Sequence, residues 1–276
     1  MTAAPLVPDI RIEDRAPVED VRAFFLRDRL LAAYALADLD SANVASARWW
    51  TARRESDIVA AALLVQQLPF RPCFAMGEAE GLATLFAAMR EQRLITAAPP
   101  LARLAIERSY RFERLDRMRR MVVDRASFRP RIAHPLVRLG PDRLADVVDV
   151  YGEASRSYFT PQRLEREIYF GVYAEGRIAA AAGTHVRSHE TGIAAVGNVL
   201  TRLQYRGRGM ATSVTSAVTA TALDEHRDVV LNVRQSNAPA IAVYERLGYR
   251  THATFLEGHA LRRAPWERIT NIWRRR

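Results

Sequence analysis

One short run of glycines and arginines constrains the fold of this chain more than any other segment. Residues 204–211 read Gln-Tyr-Arg-Gly-Arg-Gly-Met-Ala, with a strand-like segment before them and a helix-like segment after them. Gly207 and Gly209 would allow a tight turn, and the first amides of the following helix would have no backbone acceptor. Because the aligned peptide dipoles add about half a positive charge at this end, the run predicts a cradle for a diphosphate.

Two common phosphate-binding loops do not fit this run. A Walker loop needs a lysine, whereas all 41 basic residues of the chain are arginines. A dinucleotide-binding turn needs a third glycine and an acidic residue after the next strand, but Asp224 still belongs to the predicted helix. The glycine spacing alone is also compatible with an ordinary helix start whose arginines are solvated.

Apolar periodicity predicts an α+β protein with a mixed sheet and two domains. The boundary is placed in the proline-containing segment 127–135, which gives an N-terminal α/β domain over residues 1–130 and a C-terminal domain over 131–276. The predicted N-terminal elements are helices over 18–39 and 82–92 and strands over 47–52, 57–66, 73–76 and 119–124. Four helices are predicted in the C-terminal domain: one over 141–150, a short one that starts at 161, a long one that follows the glycine-arginine run and ends at about 226, and one over 238–247. The predicted C-terminal strands span 169–174, 178–186, 193–200, 229–233 and 249–261.

The run at 204–211 resembles the acyl-CoA-binding signature of the GCN-five-related N-acetyltransferases, the GNAT superfamily, which reads Gln/Arg-x-x-Gly-x-Gly/Ala. It fits that signature in two frames, one beginning at Gln204 and one at Arg206. A second resemblance follows over residues 231–249, where asparagine, alanine, tyrosine and glycine recur at the family's spacing. The resemblance covers residues 136–262 and implies a GNAT acyltransferase fold there, with acetyl-CoA as cosubstrate.

The resemblance also assigns parts of acetyl-CoA to named residues. The glycine-arginine turn would hold the diphosphate, and backbone groups near Val199 and Thr201 would bind the pantetheine arm. The Val199 N–H would polarise the thioester carbonyl, and Asn237 would anchor the arm or serve only as a helix N-cap. The implied acetyl-CoA-binding residues are Val199, Leu200, Thr201, Gln204, Arg206, Gly207, Arg208, Gly209, Met210, Ala211, Thr212, Asn232, Asn237, Ala240 and Tyr244, and Ser213 would add a further hydroxyl.

For catalysis, the resemblance implies direct attack by a bound amine, with no acyl-enzyme. Tyr244 would protonate the leaving thiolate, although a core aromatic side chain is the alternative interpretation. The glutamate that family members often use as a base aligns with Ile193, which cannot take a proton. His185 and Glu190 are the nearby candidates for the base; a water chain, or positioning of the amine alone, could also serve.

The N-terminal domain weakly echoes the order of elements in the C-terminal one. It resembles a degenerate GNAT-like domain, as in two-domain proteins of the glycine N-acyltransferase-like or FR47-like kind. Its corresponding turn, 77–81, carries Glu78 and Glu80, whose carboxylates would repel a diphosphate. We therefore expect this domain to shape the acceptor pocket or to pack structurally, without binding CoA.

The composition does not by itself choose between acetyl-CoA and other polyanionic partners. The formal charge is +10, and most of the excess lies in residues 131–276, where it suits the phosphates of CoA as well as nucleic acid. Cys73 lies in an apolar strand and is not expected to act as a nucleophile, and no cluster has metal-ligand spacing. The arginine run 274–276 is expected to be a solvated terminus.

From these observations we expect a cytoplasmic enzyme that acts on a small-molecule or peptide amine. No metal, membrane or nucleic-acid partner is expected, and a homodimer stays open. The missing strand glutamate leaves a second hypothesis, a non-catalytic acyl-CoA-binding or regulatory module. Nucleic-acid binding is a third hypothesis that rests on charge alone.

Overall fold

The computed structural model describes residues 9–67 and 71–264. The C-terminal arginine run, 274–276, lies outside these residues. The chain divides into two compact units, and each is described by itself. The first unit comprises Met1–Met118 with Thr254–Arg276, and the second comprises Arg119–Ala253.

This division differs from the predicted one at residue 130. A strand from near the end of the chain, β12 (Arg250–Arg262), places its last residues in the first unit. There it pairs antiparallel with β5 (Arg93–Ala98), in a register that runs from Leu256 opposite Ala98 to Leu261 opposite Arg93. Proline content and composition indicate a linker, but they carry no information about which distant strands pair.

The first unit is a mixed sheet with helices packed on it. Its strands follow the order β1-β2-β3-β4-β5-β12-β6, and β4 pairs parallel with β5. The core of this unit lies between the sheet and two of its helices, α3 and α4. The elements are β1 (Ile10–Asp14), α1 (Val18–Leu26), α2 (Ala33–Asp38), β2 (Ala47–Arg54), β3 (Asp57–Val65), β4 (Pro72–Gly77), α3 (Ala79–Ala88), β5, α4 (Ala102–Glu107) and β6 (Tyr110–Asp124).

Two predicted elements of the first unit differ from the observed ones. The helix predicted over 18–39 is broken into α1 and α2, because the Asp28 carboxylate accepts a hydrogen bond from the Leu31 N–H at 3.0 Å and stabilises a turn. The strand predicted over 119–124 begins at Tyr110 and is 15 residues long. Its first half contains several exposed charged side chains among partly buried ones, so the sequence showed no continuous apolar run.

The second unit is also a mixed sheet covered by helices. Its strands follow the order β6-β11-β10-β9-β8-β7, and β10 pairs parallel with β11 while β10, β9, β8 and β7 are antiparallel neighbours. The elements are the end of β6, β7 (Val137–Arg138), α5 (Leu144–Tyr151), α6 (Pro161–Arg166), β8 (Tyr169–Ala174), β9 (Arg177–Ser188), β10 (Ile193–Thr201), α7 (Met210–Glu225), β11 (Asp228–Arg234), α8 (Ala238–Arg246) and the start of β12.

Two apolar cores hold the helices to the second sheet. One packs Val214 and Val218 of α7 against Val229 and Leu231 of β11. The other lies on the side of α5 and α6, and its members include Leu139, Val147, Phe159, Leu164 and Tyr169. Side chains on successive strand residues point to opposite faces, so one strand supplies both cores. The predicted α+β class with a mixed sheet is confirmed. Among the described residues, no helix combines the length and the apolar character needed to cross a bilayer.

Candidate active site

The glycine-arginine run forms an open turn at the N-terminus of α7. Gly207 and Gly209 have left-handed backbone angles, with φ of +76° and +77°, and Gly209 is the N-cap. A Cβ added at Gly207 would meet no atom within 4 Å, so the space beside the turn is open. Because the N-cap has no side chain, the first amides of α7 remain available to an anion.

Basic side chains surround this turn. Arg206 and Arg208 are exposed; the Arg206 Nε donates to the Thr201 carbonyl at 3.3 Å, and the Arg208 guanidinium lies 5.5 Å from the Tyr205 ring centroid. His134 also contacts the turn, where its Nε2 donates to the Arg208 carbonyl at 2.7 Å. The sequence analysis missed His134 because it treated the segment around it only as a domain boundary.

The residues that follow the turn differ in their availability. Gln204 is exposed, Ala211 and Thr212 are half-buried, and Met210 is buried. Ser213 is buried, and its hydroxyl accepts a hydrogen bond from the Ala133 N–H at 3.0 Å. Its predicted part as an additional donor to the diphosphate is therefore not supported, since this hydroxyl holds the chain segment that packs along α7.

Next to the turn, β10 separates from β11. The two strands pair from Ile193 opposite Asp228 to Val196 opposite Leu231, whereas β10 continues to Thr201. On its other side β10 has a bulge, since its register with β9 jumps from Gly197 opposite Gly183 to Leu200 opposite Ala181. The bulge turns backbone groups of β10 out of the ladder, and it leaves a wedge beside them.

Asn198 occupies the bulge and has a left-handed backbone, with φ of +52°. Its Nδ2 donates to the Tyr169 hydroxyl at 2.8 Å, and its backbone carbonyl accepts from the Tyr151 hydroxyl. Its Oδ1 lies 2.9 Å from the Nε2 of His185. The sequence analysis missed this network, although an asparagine inside an apolar strand is a usable signal, since asparagine tolerates this backbone and is depleted in strands.

His185 is the predicted base that the structure brings to the bulge. A Cβ added at Gly197 would lie 2.5 Å from the His185 Nε2, so the ring packs directly on the backbone of β10. Burial lowers the pKa of His185, and the nearby Arg163 charge lowers it further, against the hydrogen bond to Asn198. The network assigns the ring proton to Nε2, because the Asn198 Nδ2 already donates to Tyr169. In the neutral imidazole, Nδ1 then carries no proton.

The structure keeps Glu190 apart from this group. Glu190 is exposed in the hairpin before β10, and Ile193 is buried at the start of the same strand. The bulge lies toward the opposite end of β10. A strand rises about 3.3 Å per residue. The part of β10 between Ile193 and Asn198 therefore separates Glu190 from the bulge.

The second predicted signature lies on β11 and α8. Asn232 follows Leu231, the last residue of β11 that pairs with β10. Its Oδ1 is enclosed without a hydrogen-bond partner among the described residues. Asn237 is the N-cap of α8, where its Oδ1 accepts from the Ala240 N–H at 3.3 Å. The N-cap interpretation is thus what the structure shows for Asn237, with Ala240 in the first turn.

Tyr244 lies on α8 with its ring in the core and its hydroxyl uncommitted. Its side chain packs in the same apolar core as α7, and its ring lies 6.0 Å from the Tyr249 ring in an edge contact. Burial raises the pKa of Tyr244 to about 12. Within the described part of the chain the hydroxyl makes no hydrogen bond. A protonated phenol is therefore available to a ligand at neutral pH.

The corresponding turn of the first unit has a different structure. A Cβ added at Gly77 would lie 2.4 Å from the Cα of Ala60, so neighbouring backbone fills the space beside the turn. Glu78 and Glu80 form ion pairs with Arg54 at 2.8 Å and 3.3 Å. This turn offers carboxylates and no open cradle. Cys73 of the same unit is buried, and burial raises the pKa of its thiol, which makes it a poor nucleophile.

Part of the second unit matches a family model. Residues 169–256 match the model for FR47-like proteins, and this range contains the bulge, the glycine-arginine turn and α8. No curated protein matches the sequence.

Solved structures resemble the chain over most of its length. A GNAT-family protein from Novosphingobium aromaticivorans gives a TM-score of 0.56 at 23% identity, over 74% of this chain and 89% of that one. A tandem GNAT protein from the clavulanic acid biosynthesis pathway gives 0.58 at 16% identity, over 93% and 99%. A GCN5-related N-acetyltransferase from Sphaerobacter thermophilus gives 0.58 at 16% identity, over 93% and 96%. At these identities the likenesses show a shared fold.

Proposed function

We propose that the chain belongs to the GNAT superfamily and transfers an acetyl group from acetyl-CoA to an amine, since residues 169–256 match the FR47-like model and GNAT structures share its fold. The observation that supports this proposal most is that the open turn before α7 lies next to the bulged end of β10, where β10 separates from β11. The first feature suits a diphosphate, and the second suits an extended amide chain that needs backbone partners.

The described residues fit acetyl-CoA in charge and shape. The amides after Gly209, with Arg206 and Arg208, would hold the diphosphate. The backbone of β10 from Val199 to Thr201, on the side where β11 no longer pairs with it, would hydrogen-bond the pantetheine amides. Leu200, Gln204 and the residues of the second signature would line the same path, and the Asn232 Oδ1 supplies a buried acceptor that the protein itself leaves unused.

Three groups of the chain would act on the reacting atoms. The Val199 N–H at the bulge would stabilise charge on the thioester oxygen, an effect typically worth a few kcal/mol. The amine nitrogen forms a bond to the acyl carbon as the carbon–sulfur bond breaks, and Tyr244 gives its proton to the departing sulfur. His185 would take the amine's proton on Nδ1, with Glu190 as the alternative that the structure separates from the bulge.

Two finer points belong to the same proposal. The first unit would shape the acceptor pocket or pack structurally, since its own turn has no cradle for CoA. A non-catalytic CoA-binding module remains the competing function, favoured by the absence of a carboxylate at Ile193.

The proposal is tested by mixing purified protein and acetyl-CoA with a broad panel of amines. Free thiol should appear only when an acceptor is present, and mass spectrometry should find the product heavier by one acetyl group. Stabilisation of the protein by CoA against heat, with no thiol released from any amine, would instead favour the binding module.

Substitution of Gly209 by valine should weaken acetyl-CoA binding by about 30-fold or more, because a branched side chain at the N-cap would occupy the cradle and strain a left-handed backbone. Isothermal titration calorimetry of the variant measures the loss. Gly176→Val provides the matched control, since Gly176 also has a positive φ, +74°, but lies in the β8–β9 hairpin. Equal affinity for both variants would contradict the assignment of the cradle.

A further inference from the structure

Arg163 of α6 extends its guanidinium toward the bulge. Its Nη2 donates to the Tyr158 hydroxyl at 2.6 Å and to the His185 carbonyl at 3.0 Å, and the group lies 3.9 Å from the Tyr158 ring centroid. The helix that carries it is fixed by Thr160, whose hydroxyl accepts from the Arg163 N–H at 3.1 Å. Arg163 is therefore held in one place by stacking, by hydrogen bonds and by its helix.

The charge of Arg163 is not balanced by an acid in the described part of the chain. No described carboxylate forms an ion pair with it, and its enclosed Nε has no hydrogen-bond acceptor there. Two acids of the same unit have other partners. Glu167 accepts from the Thr184 hydroxyl at 2.7 Å and pairs with Arg166, and Asp149 pairs with Arg177.

This charge lies beside the reacting centre of the proposed enzyme. Arg163 bonds to the His185 carbonyl, and the His185 ring bonds to Asn198 in the bulge. Tyr151, Tyr158 and these residues are all half-buried, so the region is partly open to solvent. A cation held rigidly at a partly open site, with no internal counter-ion in the described chain, is suited to an anionic ligand.

We propose that the amine acceptor carries a carboxylate and that Arg163 binds it, with the Tyr158 hydroxyl beside it. The acceptor class is then amino acids, or short peptides whose carboxylate lies a few bonds from the reacting amine. This inference rests on the proposed acetyl transfer and adds the class of acceptor to it. A single arginine among tyrosine hydroxyls matches a monoanion such as a carboxylate, whereas the diphosphate cradle has several donors and two arginines.

The test compares paired acceptors that differ only in the carboxylate. Free α-amino acids and glycylglycine are assayed with acetyl-CoA against their C-terminal amides, and thiol release gives kcat/KM for each member of a pair. The acids should be preferred by about 30-fold or more, the discrimination expected when a hydrogen-bonded charge pair loses one partner. Equal or faster turnover of the amides overturns the assignment.

Variants of Arg163 distinguish carboxylate binding by this residue from a purely structural role. Arg163→Met should raise KM for the acids far more than KM for the amides, so that the preference for acids falls toward one, and Arg163→Lys should restore part of the preference. Arg156→Met is the matched control, because Arg156 is exposed and pairs only with Glu153 at 2.8 Å among the described residues. If Arg163→Met lowers kcat equally for acids and amides, Arg163 has a structural part and the proposal fails.

The outcomes also separate this proposal from the proposed function. Turnover of uncharged amines alone would remove the carboxylate class and keep acetyl transfer. If no acid, amide or other amine supports the release of thiol, both the carboxylate class and acetyl transfer are ruled out.

Discussion

Replacement of Tyr244 by phenylalanine is expected to lower kcat for acetyl transfer by about 100-fold or more, the usual contribution of a positioned general acid. The hydroxyl of Tyr244 has no hydrogen-bond partner among the described residues, while burial raises its pKa to about 12. It therefore stays protonated near neutral pH and can give its proton to the leaving sulfur. The KM for acetyl-CoA should change little, because the cradle and the wedge are untouched.

Tyr249→Phe is the control for this prediction. Tyr249 is also a buried tyrosine, its ring meets that of Tyr244, and its hydroxyl bonds to the Thr219 hydroxyl at 2.8 Å. Thr219 already donates to the Thr215 carbonyl, so the Tyr249 hydroxyl is the donor in this pair. Its loss should cost about 1 kcal/mol of unfolding free energy and leave kcat unchanged. Similar kcat values for the two variants would remove Tyr244 from the reaction.

The parts of this molecule that follow from local sequence agree well with the structure. The strand predicted over 169–174 has the observed bounds, and the helix predicted from 161 begins there, where the Thr160 hydroxyl caps it by accepting a hydrogen bond from the Arg163 N–H. The turn at Gly207 and Gly209 is equally local, because glycine adopts positive φ angles without the steric cost that other residues incur. In each case the deciding contacts lie within a few residues along the chain.

The features that depend on pairing between distant segments of the chain could not be predicted from local sequence. The pairing of β5 with β12 joins segments separated by most of the chain, and no property of Leu94 or Ala260 indicates the other. The same holds for the site. Asn198, Tyr169 and His185 come from three strands, and only the fold shows that they share one hydrogen-bond network.

The charged pattern of β6 had a further effect on the prediction. Exposed charged residues interrupt the first half of Tyr110–Asp124 and hide a long strand from any search for apolar runs. A period of two indicates a strand with one solvated face, but here it holds only from Tyr110 to Glu113, because Arg114 is exposed as well. Counting that period would therefore not have revealed the whole strand.

Substitution of Gly248 by alanine should lower the free energy of unfolding by about 3 kcal/mol or more, the range reached when a side chain collides with fixed backbone. Gly248 ends α8 with φ of +94°, and a Cβ there would lie 2.0 Å from the Ser127 carbonyl oxygen. The Tyr249 N–H bonds to the Tyr244 carbonyl across the same turn at 3.0 Å. Movement to relieve the collision would therefore disturb the helix that carries Tyr244.

Gly176→Ala separates the collision from backbone strain. Gly176 also has a positive φ, +74°, but a Cβ there would meet no atom within 4 Å. Its replacement should cost only the strain of the left-handed backbone, about 1 kcal/mol. Urea unfolding of both variants measures the difference, provided that the m-values stay equal. Equal losses would mean that the Ser127 segment moves away at little cost, whereas a larger loss for Gly248→Ala with reduced acetyl transfer would show that this contact supports both the stability of the unit and the position of Tyr244.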